Sequence, residues 1–95
     1  MLLFEDIVRA EKTVSKHIIT TPVVHSVALS EAVGEHIYLK LENQQITGSF
    51  KIRGAINAIS NLNPAQKKAG VVALSTGNHG RGLAFAANLM KIRCI

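Results

Sequence analysis

The sequence has one cysteine, Cys94, one tyrosine and no tryptophan. A single cysteine excludes an internal disulfide and a zinc site built on cysteines. One tyrosine and no tryptophan leave little with which to build a platform for stacking nucleic-acid bases. No apolar run approaches the roughly 18 residues that cross a bilayer, so neither a transmembrane helix nor a membrane partner is expected. The N-terminus reads Met-Leu-Leu-Phe-Glu-Asp, with acids where a secretory signal carries positive charge, so no signal peptide is expected and the chain reads as cytoplasmic. His17, His25 and His36 are dispersed and share no ligand spacing, so no metal site is expected. The P-loop pattern is missing, and so is the dinucleotide order G-x-G-x-x-G.

Acids are also scarce, 6 against 11 Lys+Arg, for a formal charge of +5. Such a surplus can draw a polyanion. The basic residues are scattered, however, with only Lys67 and Lys68 adjacent. The surplus reads as a solvated surface, and no nucleic-acid partner is expected. Hydrophobic residues make up 47 % of the chain and charged ones 18 %, a globular mixture. At 95 residues about 60–65 % of the unfolded surface can be buried, enough for one modest core.

Apolar residues at Phe4, Ile7, Val8 and Val14 predict an amphipathic helix from about Phe4 to Ile18. Thr20-Thr21-Pro22 ends it, because the residue before proline is pushed out of the helical region. Ser26 is the expected N-cap of a short helix through Val33, closed by Gly34. Ile37 to Glu42 alternates apolar and polar and predicts a strand. Asn43 to Gly48 reads as a polar loop. Ser49 is the expected N-cap of a helix burying Ile52, Ala55, Ile56, Ile59 and Leu62. Ala65 to Ala69 adds one turn. Val71 to Ser75 is a continuous apolar run, suited to a central parallel strand. A tight turn and a helix bearing Leu83, Phe85, Ala86, Ala87, Leu89 and Met90 follow, and Ile92 to Ile95 starts another strand. The order from Ile37 is β-α-β-α-β, which predicts an α/β fold with an open parallel sheet and helices on both faces. A chain that stops in a strand with no helix to cover it reads as incomplete.

Two features carry possible chemistry. Lys51 lies in the first turn of its expected helix, at the positive end of the macrodipole, with Arg53 close by. An exposed lysine there is simply solvated. A partly buried one is pushed toward the neutral amine, the form that makes a Schiff base. The second feature is Ser75-Thr76-Gly77-Asn78-His79-Gly80, which joins the most strand-like segment to a helix N-terminus. Ligands of open α/β sheets bind at the carboxyl ends of strands, where unpaired N–H groups face an anion. An ordinary capped turn, with Asn78 capping and Gly77 at positive φ, is the plainer alternative. Gly77-Asn78-His79-Gly80 also matches the GXXG loop of KH domains, although that loop joins two helices. A basic RNA-binding module is therefore the competing, non-enzymatic reading. His79 is either a general acid/base or a polar residue at a helix start. Cys94 reads as a buried apolar filler and Met90 as core.

The blocks Lys40-Leu41-Glu42-Asn43-Gln44, Thr47-Gly48-Ser49-Phe50-Lys51-Ile52-Arg53-Gly54-Ala55 and Ser75-Thr76-Gly77-Asn78-His79-Gly80, in this order, resemble one family. It is the fold-type II (tryptophan-synthase-β-like) pyridoxal-phosphate-dependent enzymes, in the threonine/serine dehydratase and serine racemase branch. Thr21-Pro22 fits as well, and the resemblance runs from about Val8 to Ile95. It implies pyridoxal 5'-phosphate as cofactor, attached to Lys51, which then acts as base at the substrate Cα. It implies that Phe50 lies against the cofactor ring and that Asn78 hydrogen-bonds the ring oxygen. Ser75, Thr76, Gly77, Asn78 and His79 would hold the carboxylate of a small amino-acid substrate. The implied reaction is β-elimination from a β-hydroxy amino acid such as L-threonine or L-serine, giving a 2-oxo acid and ammonia.

Family members are several times longer, and their phosphate-binding loop and pyridine-nitrogen partner lie downstream. Residues 1–95 thus read as the N-terminal part of a lyase, with the start of the large domain and part of the small one, inactive alone. The intact enzyme is expected to form a homodimer or larger homo-oligomer. Thr76 replaces the alanine of many dehydratases and the serine of racemases; its methyl group crowds the site, which weighs against a racemase, kept here as an alternative. Gly80-Arg81-Gly82 resembles dehydratases associated with hydroxyectoine use; Arg81 is expected to point to solvent.

Overall fold

The computed structural model describes residues 1–95. Five α-helices and two short strands follow one another as α1 (Phe4–Val14), β1 (Val23–His25), α2 (Val27–Val33), β2 (Tyr38–Lys40), α3 (Lys51–Ser60), α4 (Pro64–Ala69) and α5 (Asn78–Leu89). A single 3-10 turn, Glu42–Gln44, leads out of β2.

The core is the seam between α3 and α5. Ile52, Ala55, Ile56 and Ile59 recur at three- and four-residue spacing, so they share one face of α3. They meet Leu83, Ala86 and Ala87 of α5, with Val14 and Ile92 closing the ends. Ile52, Ile56 and Ile59 are at most 1 % exposed. The small residues Ala55, Ala86 and Ala87 let the two helices approach closely. These are the residues that the periodicity predicts, except Leu62, which is only half-buried at the edge.

Several expectations need correction. α1 ends at Val14, before Ile18, and of its apolar stripe only Val14 is buried; Phe4, Ile7 and Val8 face water because no element packs over them. β2 does not open the parallel sheet. It pairs antiparallel with β1, a strand the sequence reading missed, in the register Val23↔Lys40, Val24↔Leu39, His25↔Tyr38. Every residue of both strands is exposed, so the pair is a wet antiparallel ribbon and not part of a sheet covered on both faces. The apolar run Val71–Ser75 makes one parallel bridge, Val71↔Cys94, flanked by bonds from Val71 N to the Arg93 carbonyl (2.8 Å) and from Ala73 N to the Ile95 carbonyl (2.9 Å). Gly70 makes this pairing possible. It sits at φ +92, and a Cβ there would lie 2.7 Å from the Arg93 carbonyl oxygen. Cys94 is exposed rather than a buried filler, since nothing covers the outer side of this strand pair.

The accessible surface is 6878 Å². A compact monomer of this mass exposes about 5,300 Å². Much of the excess is apolar, at Val72, Leu74, Phe50 and Ile95 among others. No helix is long and apolar enough to cross a membrane.

Candidate functional site

The N-termini of α3 and α5 lie side by side. Gly82, in the second turn of α5, is buried against the start of α3: a Cβ there would stand 3.1 Å from Ile52 N and Lys51 C and 3.2 Å from the Lys51 carbonyl oxygen. Only glycine permits that approach without displacing backbone. One residue earlier, Arg81 extends toward the loop before α3, with Nη1 3.9 Å from where a Cβ on Gly48 would lie. Arg81 is exposed, as expected, but it spans the two segments instead of leaving them. Lys51 and the Ser75–His79 loop are thereby carried on neighbouring helix starts.

Lys51 is the first residue of α3, and its N-cap is Phe50, not Ser49. Phe50 already has helical backbone angles, which moves the boundary by one residue. Ser49 is buried, and its Oγ accepts a long bond from Lys51 N at 3.4 Å. Lys51 Nζ stands 5.0 Å from the centroid of the Phe50 ring, within cation–π range. Both side chains are exposed, so these 95 residues do not enclose the lysine in a dry pocket. The first turn of α3 has no acidic residue to answer Lys51 and Arg53. In the same loop Thr47 Oγ1 is buried with no hydrogen-bond partner.

In the second loop Ser75 is the organising residue. Its Oγ accepts from Gly77 N at 3.3 Å and Gly80 N at 3.0 Å. Ser75 therefore caps the turn, in the place that the plainer alternative gave to Asn78. Gly77 is the N-cap at φ −132, so the positive φ of that alternative is not found; the Ser75 hydroxyl closes the turn without it. Asn78 and His79 open α5, and with Thr76 they expose their side chains. The backbone N–H groups of Thr76, Asn78 and His79 meet no acceptor within the chain. They are unpaired donors at a helix start, suited to an anion. Gly77–Gly80 leads from an extended segment into a helix, unlike the helix-to-helix GXXG loop.

The sequence reading missed a polar cluster under the α3 start. Arg53 Nε donates to Glu42 Oε2 at 2.8 Å, and Arg53 Nη2 donates to Glu42 Oε1 at 2.7 Å. Thr21 Oγ1 donates to the same Oε1 at 2.6 Å. These donors, Arg53 foremost, lower the Glu42 carboxyl from 4.5 to about 2. Residues 11 and 21 positions apart leave no local pattern from which to infer such contacts. The cluster borders an open groove of about 610 Å³ between α1 and α3, lined in part by Ile7, Val14, Ile18 and Asn57.

Known proteins resemble the chain over nearly its whole length. The profile of the family described as pyridoxal-phosphate dependent enzyme matches residues 14–95. L-threonine ammonia-lyase of Thermotoga maritima is 49 % identical over 92 residues, covering 97 % of this chain and 23 % of that protein. L-threo-3-hydroxyaspartate ammonia-lyase of a Pseudomonas species is 45 % identical over 89 residues, covering 94 % and 28 %. The crystal structure of serine racemase from Dictyostelium discoideum superposes with a TM-score of 0.87 at 43 % identity, covering 95 % and 29 %. The chain thus spans less than a third of the length of these relatives.

Proposed function

The chain belongs to the pyridoxal-phosphate-dependent enzymes, and on that premise we propose that it is the lysine-bearing N-terminal part of an ammonia-lyase. Its substrate would be a β-hydroxy amino acid such as L-threonine or L-serine, and its products a 2-oxo acid and ammonia. On this reading residues 1–95 make the start of the large domain and part of the small domain of a homo-oligomeric enzyme. One observation carries the proposal: a primary amine beside an exposed aromatic face, next to a loop of unpaired N–H donors, on two packed helix starts.

The residues fit the aldehyde and ring of the cofactor. Lys51 supplies the amine, Phe50 a flat apolar face and Asn78 a side-chain amide for the ring oxygen. Pyridoxal phosphate, when bound, supplies an electron sink for the carbanion at the substrate Cα. The N–H groups of Thr76, Asn78 and His79 hold the substrate carboxylate and so orient the Cα–H bond. The Lys51 amine would take that proton and return it to the departing β-hydroxyl, which leaves as water, and hydrolysis of the C–N bond would release the 2-oxo acid and ammonia. The resemblance puts the phosphate and ring-nitrogen anchors downstream of residue 95, so the chain alone is expected to lack turnover.

The test is to add pyridoxal phosphate, reduce with borohydride and map the labelled lysines by mass spectrometry. Label concentrated on Lys51, and lost in Lys51→Ala, supports the reading. Label spread over exposed lysines such as Lys67 and Lys68, here and in a longer protein carrying this chain, would refute it. A racemase is the second reading, favoured by the likeness to serine racemase. Chiral analysis of serine recovered after incubation of L-serine with a longer protein carrying this chain separates the two: a lyase leaves oxo acid and ammonia, a racemase leaves D-serine.

A further inference from the structure

We infer, on the reading of Lys51 as the cofactor lysine, that Glu42 is a positioning residue for Lys51, acting through Arg53. Arg53 is the third residue of α3, and Lys51 is the first. Residues two apart do not share a helix face, so the pair leaves the Lys51 amine free. What it fixes is the turn from which that amine projects. A guanidinium fork on a carboxylate constrains rotation as well as distance, which a single hydrogen bond does not.

The fork is anchored in turn. Thr21, 3 % exposed, donates to Glu42, and its carbonyl accepts from Lys40 Nζ at 2.6 Å. Three residues after Glu42, the buried Gln45 bridges Ile19: its Nε2 donates to the Ile19 carbonyl at 2.9 Å, and its Oε1 accepts from Ile19 N at 3.1 Å. The start of the loop into Lys51, from Glu42 to Gln45, is therefore tied to the Ile19–Thr21 segment, and the fork ties the first turn of α3 to that start. Gly82 abuts the Lys51 and Ile52 backbone from α5. Without the fork, the first turn of α3 keeps little of its own: its N-cap makes no side-chain bond, and Lys51 N has only the 3.4 Å contact to Ser49. Glu42 also supplies, from outside the helix, the negative charge that the start of α3 lacks.

The experiment is borohydride trapping with pyridoxal phosphate in this chain, read as the ratio of label on Lys51 to label on Lys67 and Lys68, with helicity followed by circular dichroism. In Glu42→Gln the ratio is expected to fall on the order of tenfold while the protein remains helical at the assay temperature, as for loss of a charged hydrogen-bond partner. Asp6→Asn, which breaks the exposed pair with Arg9, is expected to leave the ratio unchanged. Should Glu42→Gln melt below the assay temperature, Arg53→Lys carries the test, since it keeps the charge and loses the fork. A lower melting temperature with an unchanged ratio in the folded variants would overturn the inference and leave Glu42 purely structural. A wild-type protein with no preference for Lys51, both in this chain and in a longer protein carrying it, would overturn the reading of Lys51 and the inference with it.

Discussion

Alanine at two helical glycines is expected to act with opposite signs. Gly54, in α3, has nothing within 4 Å of an added Cβ. Gly54→Ala therefore gains only the helix preference of alanine, about 0.8–1 kcal/mol. Gly82, in α5, makes the same gain, but its Cβ would meet three backbone atoms of Lys51 and Ile52 at 3.1–3.2 Å. Backbone at the start of a packed helix cannot rotate away as a side-chain tip can. The overpacking cost is about 1–3 kcal/mol, so the net change for Gly82→Ala is a loss of about 1 kcal/mol. For a domain of this size 1 kcal/mol moves the melting temperature by roughly 4–8 °C. Gly54→Ala should melt higher than wild type by roughly that amount and Gly82→Ala lower, both followed by circular dichroism. Borohydride trapping at Lys51 should weaken in Gly82→Ala alone, because the first turn of α3 must shift. A Gly82→Ala protein that melts as high as Gly54→Ala would show that the two helix starts are not in contact as described.

The α4 cap pairs Asn63 Oδ1 with Gln66 N and Gln66 Oε1 with Asn63 N, both at 2.9 Å; Asn63→Ala should cost about 1 kcal/mol in chemical denaturation, and Asn63→Asp much less. Ile56 is fully buried in the α3–α5 seam, so Ile56→Ala should cost about 2–5 kcal/mol and abolish a cooperative melt, whereas Ile56→Val should cost about 1 kcal/mol. Cys94 is exposed, so Cys94→Ser should change stability by less than about 0.5 kcal/mol; a larger loss would restore the buried-filler reading. Because Arg53 and Thr21 hold the Glu42 carboxyl at about 2, below its ordinary 4.5, the unfolded chain binds that proton first. The contribution is complete above pH 4.5 and is lost as pH falls through about 2, so Glu42→Gln should flatten the acid limb of an unfolding-versus-pH curve.

What proved legible in the sequence was local. Ile52, Ala55, Ile56 and Ile59 announced the buried face of α3, and Ser26 with Gly34 bounded α2, because helix packing and capping are written within a few residues. Strand partnership was not. Tyr38–Lys40 alternates whichever neighbour it takes, and its partner Val23–His25 is three residues long, below the length at which periodicity speaks. The site divides in the same way. The two loops were visible as clusters of small polar residues beside helix starts. The Glu42–Arg53–Thr21 cluster was not, since an ion pair between a turn and a helix depends on the fold for its geometry. Ser75 shows the intermediate case: its place in the turn was evident, but its role as acceptor for two backbone N–H groups was not.

The exposed apolar surface and the exposed lysine have one physical origin. Leu74, whose side chain is fully exposed, directly precedes the loop that begins at Ser75, and Phe50, 59 % exposed, directly precedes Lys51. Apolar groups of that size are each stabilised by about 1.5–3 kcal/mol when removed from water. Each of these side chains adjoins a part of the site, so covering Leu74 would bring apolar surface to the loop of unpaired N–H groups, and covering Phe50 would bring it to the lysine. Burial that is favourable for the hydrophobes would in the same step remove water from the amine. The first turns of α3 and α5 are in this sense one wall of a site: they set the chemistry and its spacing, and Glu42, Arg53 and Gly82 hold that spacing, while the dryness that makes an amine reactive must come from whatever packs on Leu74 and Phe50.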